Sequence, residues 1–269
     1  MKLLDASPRF ALVSALLLSF LLGGCAVAPP SPSTAAVSQL APGGKVRVAL
    51  FQGNPVVVNQ PAGETLTGLG VDIGQALATR LGVAFEPVRY ATATALLADT
   101  GTGKWDVALL GVEPARMGVM DFTAPYGTIE NTYLVPAGSG LMTIADADRK
   151  GVRIGVADRT VQHSSLTAQI KQARLVLVAG GPAGLKALAD GQVEAFAGNR
   201  SALENLAAQM PGYRLLPGGF MHTQFALGVP KGRPAGAAFA DEFIRHLVAS
   251  GAVDESIARS KVKNFKSSK

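Results

Sequence analysis

The chain has 269 residues and a formal net charge of +6; 48% of its residues are hydrophobic and 16% are charged. A chain of this length buries roughly 70–75 % of its unfolded surface, which is enough for one or two compact domains. Its basic residues are scattered rather than gathered in a stripe with aromatic residues, so the composition argues against a nucleic-acid partner. The single cysteine excludes an internal disulfide and a metal site built from several thiolates.

The N-terminal segment has the pattern of an export signal. Lys2 and Arg9 precede an apolar run at 10–22, and the sequence Leu-Gly-Gly-Cys then ends at Cys25. We therefore predict a signal peptide over residues 1–24. Its end resembles a bacterial lipobox, which implies that Cys25 is lipidated and anchors an exported, periplasmic or cell-surface protein to the membrane. A cleaved signal with an incidental cysteine and an uncleaved membrane helix are the alternatives.

Residues 25–44 have the composition of a linker. Proline recurs among alanine and serine, at Pro29, Pro30, Pro32 and Pro42, and the segment shows no hydrophobic periodicity. We expect a semi-extended tether that starts at Cys25 and a folded part that begins near Lys45. No later segment has the roughly 20 consecutive apolar residues that are needed to span a bilayer.

From Lys45 onward, apolar runs alternate with amphipathic stretches, which is typical of parallel α/β units. In the first half, the pattern predicts strands at 46–50, 83–88 and 107–110 and helices at 71–81 and 93–97. A long extended segment at 129–136 follows. In the second half, the pattern predicts strands at 152–156, 175–178 and 193–197 and helices at 161–172, 183–189 and 201–210.

The chain then returns toward its first half. An extended segment is predicted at 223–229, and helices are predicted at 235–250 and 253–259. The last residues are expected to be frayed and solvated because they include Lys261, Lys263, Lys266 and Lys269. The two similar halves predict two lobes, one of residues 45–134 with 227–269 and one of residues 135–226. Ligands of open parallel sheets gather beyond the carboxyl ends of the strands, so the cleft between the lobes is the expected site.

Arg116 is the first candidate binding residue. The apolar run 107–110 predicts a strand buried on both faces, and Pro114 follows where the first turn of a helix tolerates proline. Arg116 is thus expected in a first helical turn, where unpaired N–H groups and the helix dipole would join its guanidinium in attracting a carboxylate or another anion. The alternative is a surface arginine that pairs with Glu113 or Asp121.

Several enzyme and metal signatures fail. A phosphate-binding Walker loop around Lys104 would need glycine at position 98, where Ala98 stands, and serine or threonine at position 105, where Trp105 stands. There is no G-x-S-x-G or H-E-x-x-H motif, and the glycines at 68–74 are wrongly spaced for dinucleotide binding. The three histidines are too far apart in sequence to indicate a metal site. No cofactor, metal ion or catalytic residue is therefore predicted.

Six segments follow one another at a characteristic spacing: Gly70-Val71-Asp72-Ile73, Arg80-Leu81-Gly82, Gly103-Lys104-Trp105-Asp106-Val107, Arg116, Asp121-Phe122-Thr123-Ala124-Pro125-Tyr126 and Gly191-Gln192-Val193-Glu194-Ala195. Behind a lipobox, this series resembles the bacterial extracellular solute-binding proteins of family three, from about residue 45 to 259. The resemblance implies an α/β fold of the periplasmic-binding-protein type II, with two lobes joined by two hinge strands and a mostly parallel sheet flanked by helices in each. It also implies a monomer that closes on a small-molecule ligand for the permease of an ABC importer.

The resemblance also assigns roles to residues. Arg116 falls on the arginine that takes the α-carboxylate of an amino-acid ligand. The other positions depart from the family: Glu113 stands where a hydroxyl residue is usual, and Asn199 stands where an aspartate usually binds the ligand's amino group. Arg159-Thr160 stands where a Gly-Thr pair is usual. An ammonium gains about 1.5–3 kcal/mol from a carboxylate and roughly 0.5–1.5 kcal/mol from a neutral amide, so these departures argue against a standard amino acid. We expect a ligand that bears a carboxylate or an amide. Arg159 is a candidate second cation and Glu113 a candidate anionic partner; for both, a salt bridge at the rim of the cleft is the alternative.

Four more residues complete the candidate site: Phe51, Gln52, Asn54 and Gly111. Phe51 ends the first predicted strand, where it either stacks on a ligand or belongs to the core. Its neighbours Gln52 and Asn54 offer neutral hydrogen-bonding groups, and Gly111 ends the strand before Arg116. Thr160, with the N–H groups of a helix N-terminus, is expected to hold a carboxylate.

Two other functions remain open. Some periplasmic dehydratases that act on cyclohexadienyl acids resemble this family, and in such an enzyme Glu113 or His163 would be the candidate acid or base. A ligand-sensing receptor domain is the third alternative.

Overall fold

The computed structural model describes residues 31–52, 54–59, 65–260 and 262–269. The predicted signal peptide, Cys25 and the first part of the predicted tether lie outside these described residues. Within them, no helix is long and apolar enough to cross a membrane.

Eight α-helices and eleven strands are formed by the described residues. The helices are α1 (Thr34–Leu40), α2 (Leu69–Leu81), α3 (Ala93–Ala98), α4 (Val161–Gln169), α5 (Gly181–Ala189), α6 (Arg200–Gln209), α7 (Pro234–Ser250) and α8 (Ala252–Ser260). The strands are β1 (Lys45–Phe51), β2 (Ala84–Tyr90), β3 (Val107–Gly111), β4 (Met120–Phe122), β5 (Gly127–Pro136), β6 (Arg153–Ala157), β7 (Arg174–Val178), β8 (Ala195–Asn199), β9 (Tyr213–Leu215), β10 (Met221–Pro230) and β11 (Phe265–Ser267). Two short 3₁₀ turns occur at Pro114–Arg116 and Ile144–Ala147.

The strands are arranged as two parallel blocks joined by an antiparallel pair. Their order is β2-β1-β3-β10-β5-β8-β6-β7. Strand β1 pairs in parallel with β2 and β3, and β6 pairs in parallel with β7 and β8. Between these blocks, β10 and β5 run antiparallel to each other and to their outer neighbours. The predicted α/β fold with two lobes and two hinge strands is therefore confirmed.

Apolar side chains form a separate core on each side of the hinge strands. The first core draws its buried residues from 36–129 and 225–265, and the second from 133–216. Every residue of β3 is buried, because this strand is covered on both faces, as its apolar run predicted. The lobe boundaries at 134/135 and 226/227 stay a prediction.

The structure corrects the predicted tether over its second half, because residues 34–40 form the helix α1. Ser33 caps this helix by accepting from the backbone N–H of Ala36 at 3.1 Å. Ala36 and Leu40, one turn apart, are buried against α7, where a Cβ atom on Gly236 would lie 3.0 Å from Leu40. The alanine and serine content resembled a linker, but the i, i+4 apolar pair gives the segment a buried face.

The structure also corrects the prediction of a frayed C-terminus. Strand β11 pairs antiparallel with β5, with Phe265 opposite Ile129. The Phe265 ring fills the space beside Gly127, where any side chain would overlap it. Lys269 forms an ion pair with Asp254. One buried aromatic residue thus fixes a tail whose lysines indicated only solvation.

We expect Leu40→Ala to lower the free energy of unfolding by about 2–5 kcal/mol, because the substitution leaves a cavity between α1 and α7. Ser38→Ala, on the exposed face of the same helix, is the control and should change it by less than about 0.5 kcal/mol. Urea denaturation measures both variants. Equal, small effects would mean that residues 34–40 are the tether that the composition indicated.

Candidate functional site

Two adjoining cavities lie where the carboxyl ends of both parallel blocks meet. The smaller, of about 60 Å³, is lined by the end of β1, the end of β3, the start of α4 and the hinge strand β10. The larger, of about 330 Å³, extends over the ends of β6 and β8 and the starts of α5 and α6. Phe51, Thr160, Gln162 and Asn199 line both cavities. The position agrees with the rule that open α/β sheets bind ligands beyond the carboxyl ends of their strands.

Arg116 lines the smaller cavity and is held by three groups of the protein. Its Nη1 donates to the carbonyl of Gly111 at 2.8 Å, and its Nη2 donates to the carbonyl of Arg159 at 2.9 Å. Its Nε lies 3.0 Å from Glu113 Oε2 in an ion pair, but the Nε–H makes no hydrogen bond. Burial, with 6% of the residue exposed, lowers the pKa of the guanidinium, and the charge of Glu113 opposes this shift.

Glu113 balances the charge of Arg116 and reaches across the cleft. It is buried, and its second carboxylate oxygen, Oε1, accepts a hydrogen bond from the hydroxyl of Ser164 on α4. Two links therefore connect the end of β3 to the second lobe, one through Ser164 and one from Arg116 to the Arg159 carbonyl. The alternative of an Arg116–Glu113 pair is present in the structure, although the pair is buried at the cleft rather than exposed.

The segment after β3 differs from the predicted helix. It is a three-residue 3₁₀ turn, closed by bonds from Arg116 N to Glu113 O at 3.0 Å and from Met117 N to Pro114 O at 3.1 Å. Pro114 occupies its first position, as expected. A single turn has no row of aligned peptides, so the predicted contribution of a helix dipole at Arg116 is wrong. The positive charge here comes from the guanidinium alone.

The turn before α4 contains Arg159 and Thr160. Thr160 caps α4: its Oγ1 accepts from His163 N at 3.2 Å and donates to Ala157 O at 2.7 Å. Arg159 has a φ angle of 53°, in the left-handed region that favours glycine. The Arg159 side chain is 58% exposed and lies outside both cavities, so the structure does not bring the predicted second cation to the site. Its carbonyl does contribute, as the acceptor for Arg116.

The neutral predicted residues all reach a cavity. Asn199 is buried and caps α6, with its Oδ1 accepting from Ala202 N at 2.8 Å. Asn54 is buried in the smaller cavity wall, where its Oδ1 accepts from Val56 N at 3.1 Å. Gln52 lines the larger cavity. Phe51 forms a wall of both cavities and also packs against the core of the first lobe, so both predicted roles apply.

Sequence reasoning missed the polar residues of the hinge strands. Gln162 donates from its side-chain amide to Asn131 on β5, and Asn131 in turn donates to Thr223 Oγ1 on β10 at 2.8 Å. Gln162 and Thr223 line the smaller cavity, beside Phe225. The available signal was the presence of an asparagine and a threonine within the two segments that the sequence predicts to be extended, 129–136 and 223–229. These contacts connect the cavity wall to both hinge strands.

No metal-binding cluster is found in the described part of the chain, where no three His, Cys, Asp or Glu side chains are grouped to hold an ion. His163 pairs instead with Asp158, its Nδ1 lying 3.3 Å from a carboxylate oxygen. It lies outside both cavities.

Comparison with known families gives one match. The sequence profile of the bacterial extracellular solute-binding proteins, family 3, matches residues 46–260. Among curated proteins, none matches the chain significantly by sequence.

Solved structures share the fold at low sequence identity. A solute receptor for L-cysteine of Neisseria gonorrhoeae has a TM-score of 0.74 and 19% identity, with 86% of this chain and 95% of that chain covered. An amino acid ABC transporter substrate-binding protein from Streptococcus pneumoniae, bound to L-arginine, has a TM-score of 0.72, 21% identity and coverages of 84% and 97%. AncCDT-1, an ancestral amino acid-binding protein and precursor of cyclohexadienyl dehydratase, has a TM-score of 0.71, 19% identity and coverages of 83% and 97%. At these identities the likeness concerns the fold.

We expect Glu113→Gln to lower the free energy of unfolding by about 3 kcal/mol or more, because it leaves the buried Arg116 charge without its counter-charge. Glu194→Gln is the matched control: Glu194 pairs with Arg153 at 2.6 Å, but both side chains are more than a third exposed. That variant should lose at most about 1 kcal/mol. Urea denaturation of both variants checks this, and equal losses would contradict a buried pair at the end of β3.

Proposed function

The chain belongs to the bacterial extracellular solute-binding proteins, family 3, and we propose that it captures a small carboxylate- or amide-bearing solute between its lobes for an ABC importer. The observation that carries this proposal is the pair of cavities lined by the strand ends of both lobes. The substrate-binding protein of an amino acid ABC transporter among the similar structures supports a small organic solute as cargo.

The ligand's carboxylate, in this proposal, lies in the smaller cavity between Arg116 and the N-terminus of α4. Arg116 lines this cavity, and its guanidinium can form a charge-assisted bond to a carboxylate placed there. Thr160 and the first N–H groups of α4 favour a negative charge at the same place. Glu113 already neutralises part of the Arg116 charge, so the ligand needs to carry one negative charge at most.

Recognition of an amino group is weak in this arrangement. Asn199 lines both cavities with a neutral amide, and its oxygen is already used to cap α6. A ligand ammonium would lose about 1 kcal/mol or more relative to a site with a carboxylate. We therefore place simple acids and amides above zwitterionic amino acids as ligands.

Closure follows from the links across the cleft. The bonds from Arg116 to Arg159 and from Ser164 to Glu113 hold the lobes together at the site. A ligand that contacts both lobes would favour this closed form over an open one and so shift the population toward it.

Binding without chemistry is the function that this geometry supports best, and catalysis is the alternative to be tested. Of the two candidate acid–base residues, Glu113 is engaged by Arg116 and Ser164, and His163 lies outside both cavities. The similarity to an ancestral amino acid-binding protein that preceded a dehydratase makes turnover worth measuring.

The cellular arrangement is also part of the proposal. An exported protein, held to the membrane through lipidated Cys25 and working as a monomer, would deliver its ligand to the permease of the importer. A sensory role would use the same cleft with a different membrane partner. Genes for a permease beside this one would favour import.

We expect Glu113→Gln/Arg116→Met to weaken ligand binding by at least about tenfold while the protein stays folded, because both charges are removed together and neither is left buried without its partner. Differential scanning fluorimetry and calorimetry against a panel of simple carboxylates, primary amides and amino acids measure the loss.

Arg153→Met/Glu194→Gln is the matched control for that variant, since it removes an Arg–Glu pair that lines neither cavity. It should bind as the wild type does. Full affinity in the Glu113/Arg116 variant would overturn the assigned site, and ligand recovered chemically changed after incubation would replace the binding function with an enzymatic one.

We expect Cys25→Ser to move the protein from the membrane fraction to the soluble fraction, because its hydroxyl cannot carry the thioether-linked lipid. Fractionation and intact mass of the mature protein check this. Membrane association that persists together with an acylated N-terminus would refute the anchor at Cys25.

A further inference from the structure

The larger cavity has room for most of the ligand. Its volume of about 330 Å³ falls in the range of small-molecule pockets, whereas the smaller cavity has about 60 Å³. A carboxylate held near Arg116 would fill most of the smaller space. The remainder of the molecule then passes Phe51 and Thr160, which line both cavities, into the larger one.

Five of the described residues that line the larger cavity have side-chain amides, and none of the described lining residues has a charged side chain. Among the described residues that line it, the polar groups are mainly the amides of Gln52, Asn59, Gln162, Asn199 and Asn205, and the rest are apolar or small. Each amide offers both a donor and an acceptor. A neutral group that both donates and accepts is the natural partner of such a wall.

The charged residues next to this wall are engaged elsewhere. Arg200 pairs with Glu130 at 2.6 Å and donates to the carbonyl of Gly218 at 2.8 Å. Glu204, between Leu203 and Asn205 in sequence, accepts two bonds of 2.9 Å from the Asn264 side chain. None of these charges lines the cavity.

Among the described residues, Asp158 is another acidic neighbour, and one of its carboxylate oxygens lies 3.3 Å from Nδ1 of His163. It does not line the cavity either. None of the described lining residues would supply a counter-charge to a charged ligand group in the larger cavity. Burying such a group there costs more than burying a neutral group that forms hydrogen bonds.

We propose that the larger cavity is a specificity subsite for an uncharged polar group, such as an amide, a urea or a hydroxyl, and that it rejects a cationic group of the same shape. This inference rests on the proposed binding function. It adds the chemical class of the ligand group that lies farthest from the carboxylate. It separates this chain from the similar Streptococcus pneumoniae protein, whose structure contains L-arginine.

A pair of probes with equal shape and different charge tests the subsite. Nα-acetyl-L-citrulline and Nα-acetyl-L-arginine both carry one carboxylate and no ammonium, and they differ in a neutral urea against a cationic guanidinium. By calorimetry on the wild-type protein, we expect the citrulline derivative to bind at least about tenfold more tightly. Nα-acetyl-L-glutamine should likewise bind more tightly than Nα-acetyl-L-glutamate.

Substitutions at neighbouring positions locate the effect. Asn205→Asp places a carboxylate in the cavity wall and should narrow or reverse the preference for the citrulline derivative. Glu204→Gln removes a charge one residue away, outside the cavity, and should leave the preference unchanged.

Equal or tighter binding of either charged probe by the wild type would overturn the subsite while leaving the binding function in place. So would a failure of both neutral probes if other carboxylates bind. Absence of binding to any solute of the wider panel would overturn the proposed function itself, and the subsite with it.

Discussion

The buried pair of Glu113 and Arg116 is the interaction on which the site depends. Two opposite charges withdrawn from water need hydrogen-bond partners, and the protein supplies most of these from both lobes. Gly111 and Arg159 provide carbonyls for Arg116, and Ser164 provides a hydroxyl for Glu113. The need to satisfy one desolvated ion pair thus fixes the end of β3, the turn before α4 and the distance between the lobes.

The hinge strands form or contact the cavity wall as well as connecting the lobes. Asn131 on β5 receives a bond from Gln162 in the cavity wall and gives one to Thr223 on β10. In the proposed function, a ligand that moves Gln162 would act directly on both hinge strands. These three neighbouring polar side chains are thus the contacts through which we expect binding and closure to be coupled.

Much of the fold could be predicted from the sequence because buried strands and amphipathic helices have strong periodicity. The apolar run of β3 and the extended segments of β5 and β10 lie where the pattern placed them. Helix α1 and strand β11 were missed because each is held by one or two apolar contacts, through Leu40 and Phe265, inside segments of linker-like or basic composition.

Cavity-lining residues could be predicted where they stand at the end of a strand, because strand ends face the cleft. Phe51 and Asn199 are examples. It was not predictable where a turn decides which way a side chain points. Arg159 adopts a left-handed conformation that offers its carbonyl and sends its guanidinium to solvent. Similarly, the sequence offered an ion pair between Glu113 and Arg116 only as one alternative at the surface, and it could not show that this pair would be buried.

The position of β11 has a practical consequence for probes of this protein. Because β11 pairs with the hinge strand β5, a label attached in β11 would lie directly beside that strand. If the lobes close as proposed, such a label would report the motion and would also perturb the hinge. Labels meant to leave closure undisturbed belong on the exposed outer faces of the lobes, while a reporter of closure belongs in or beside β11.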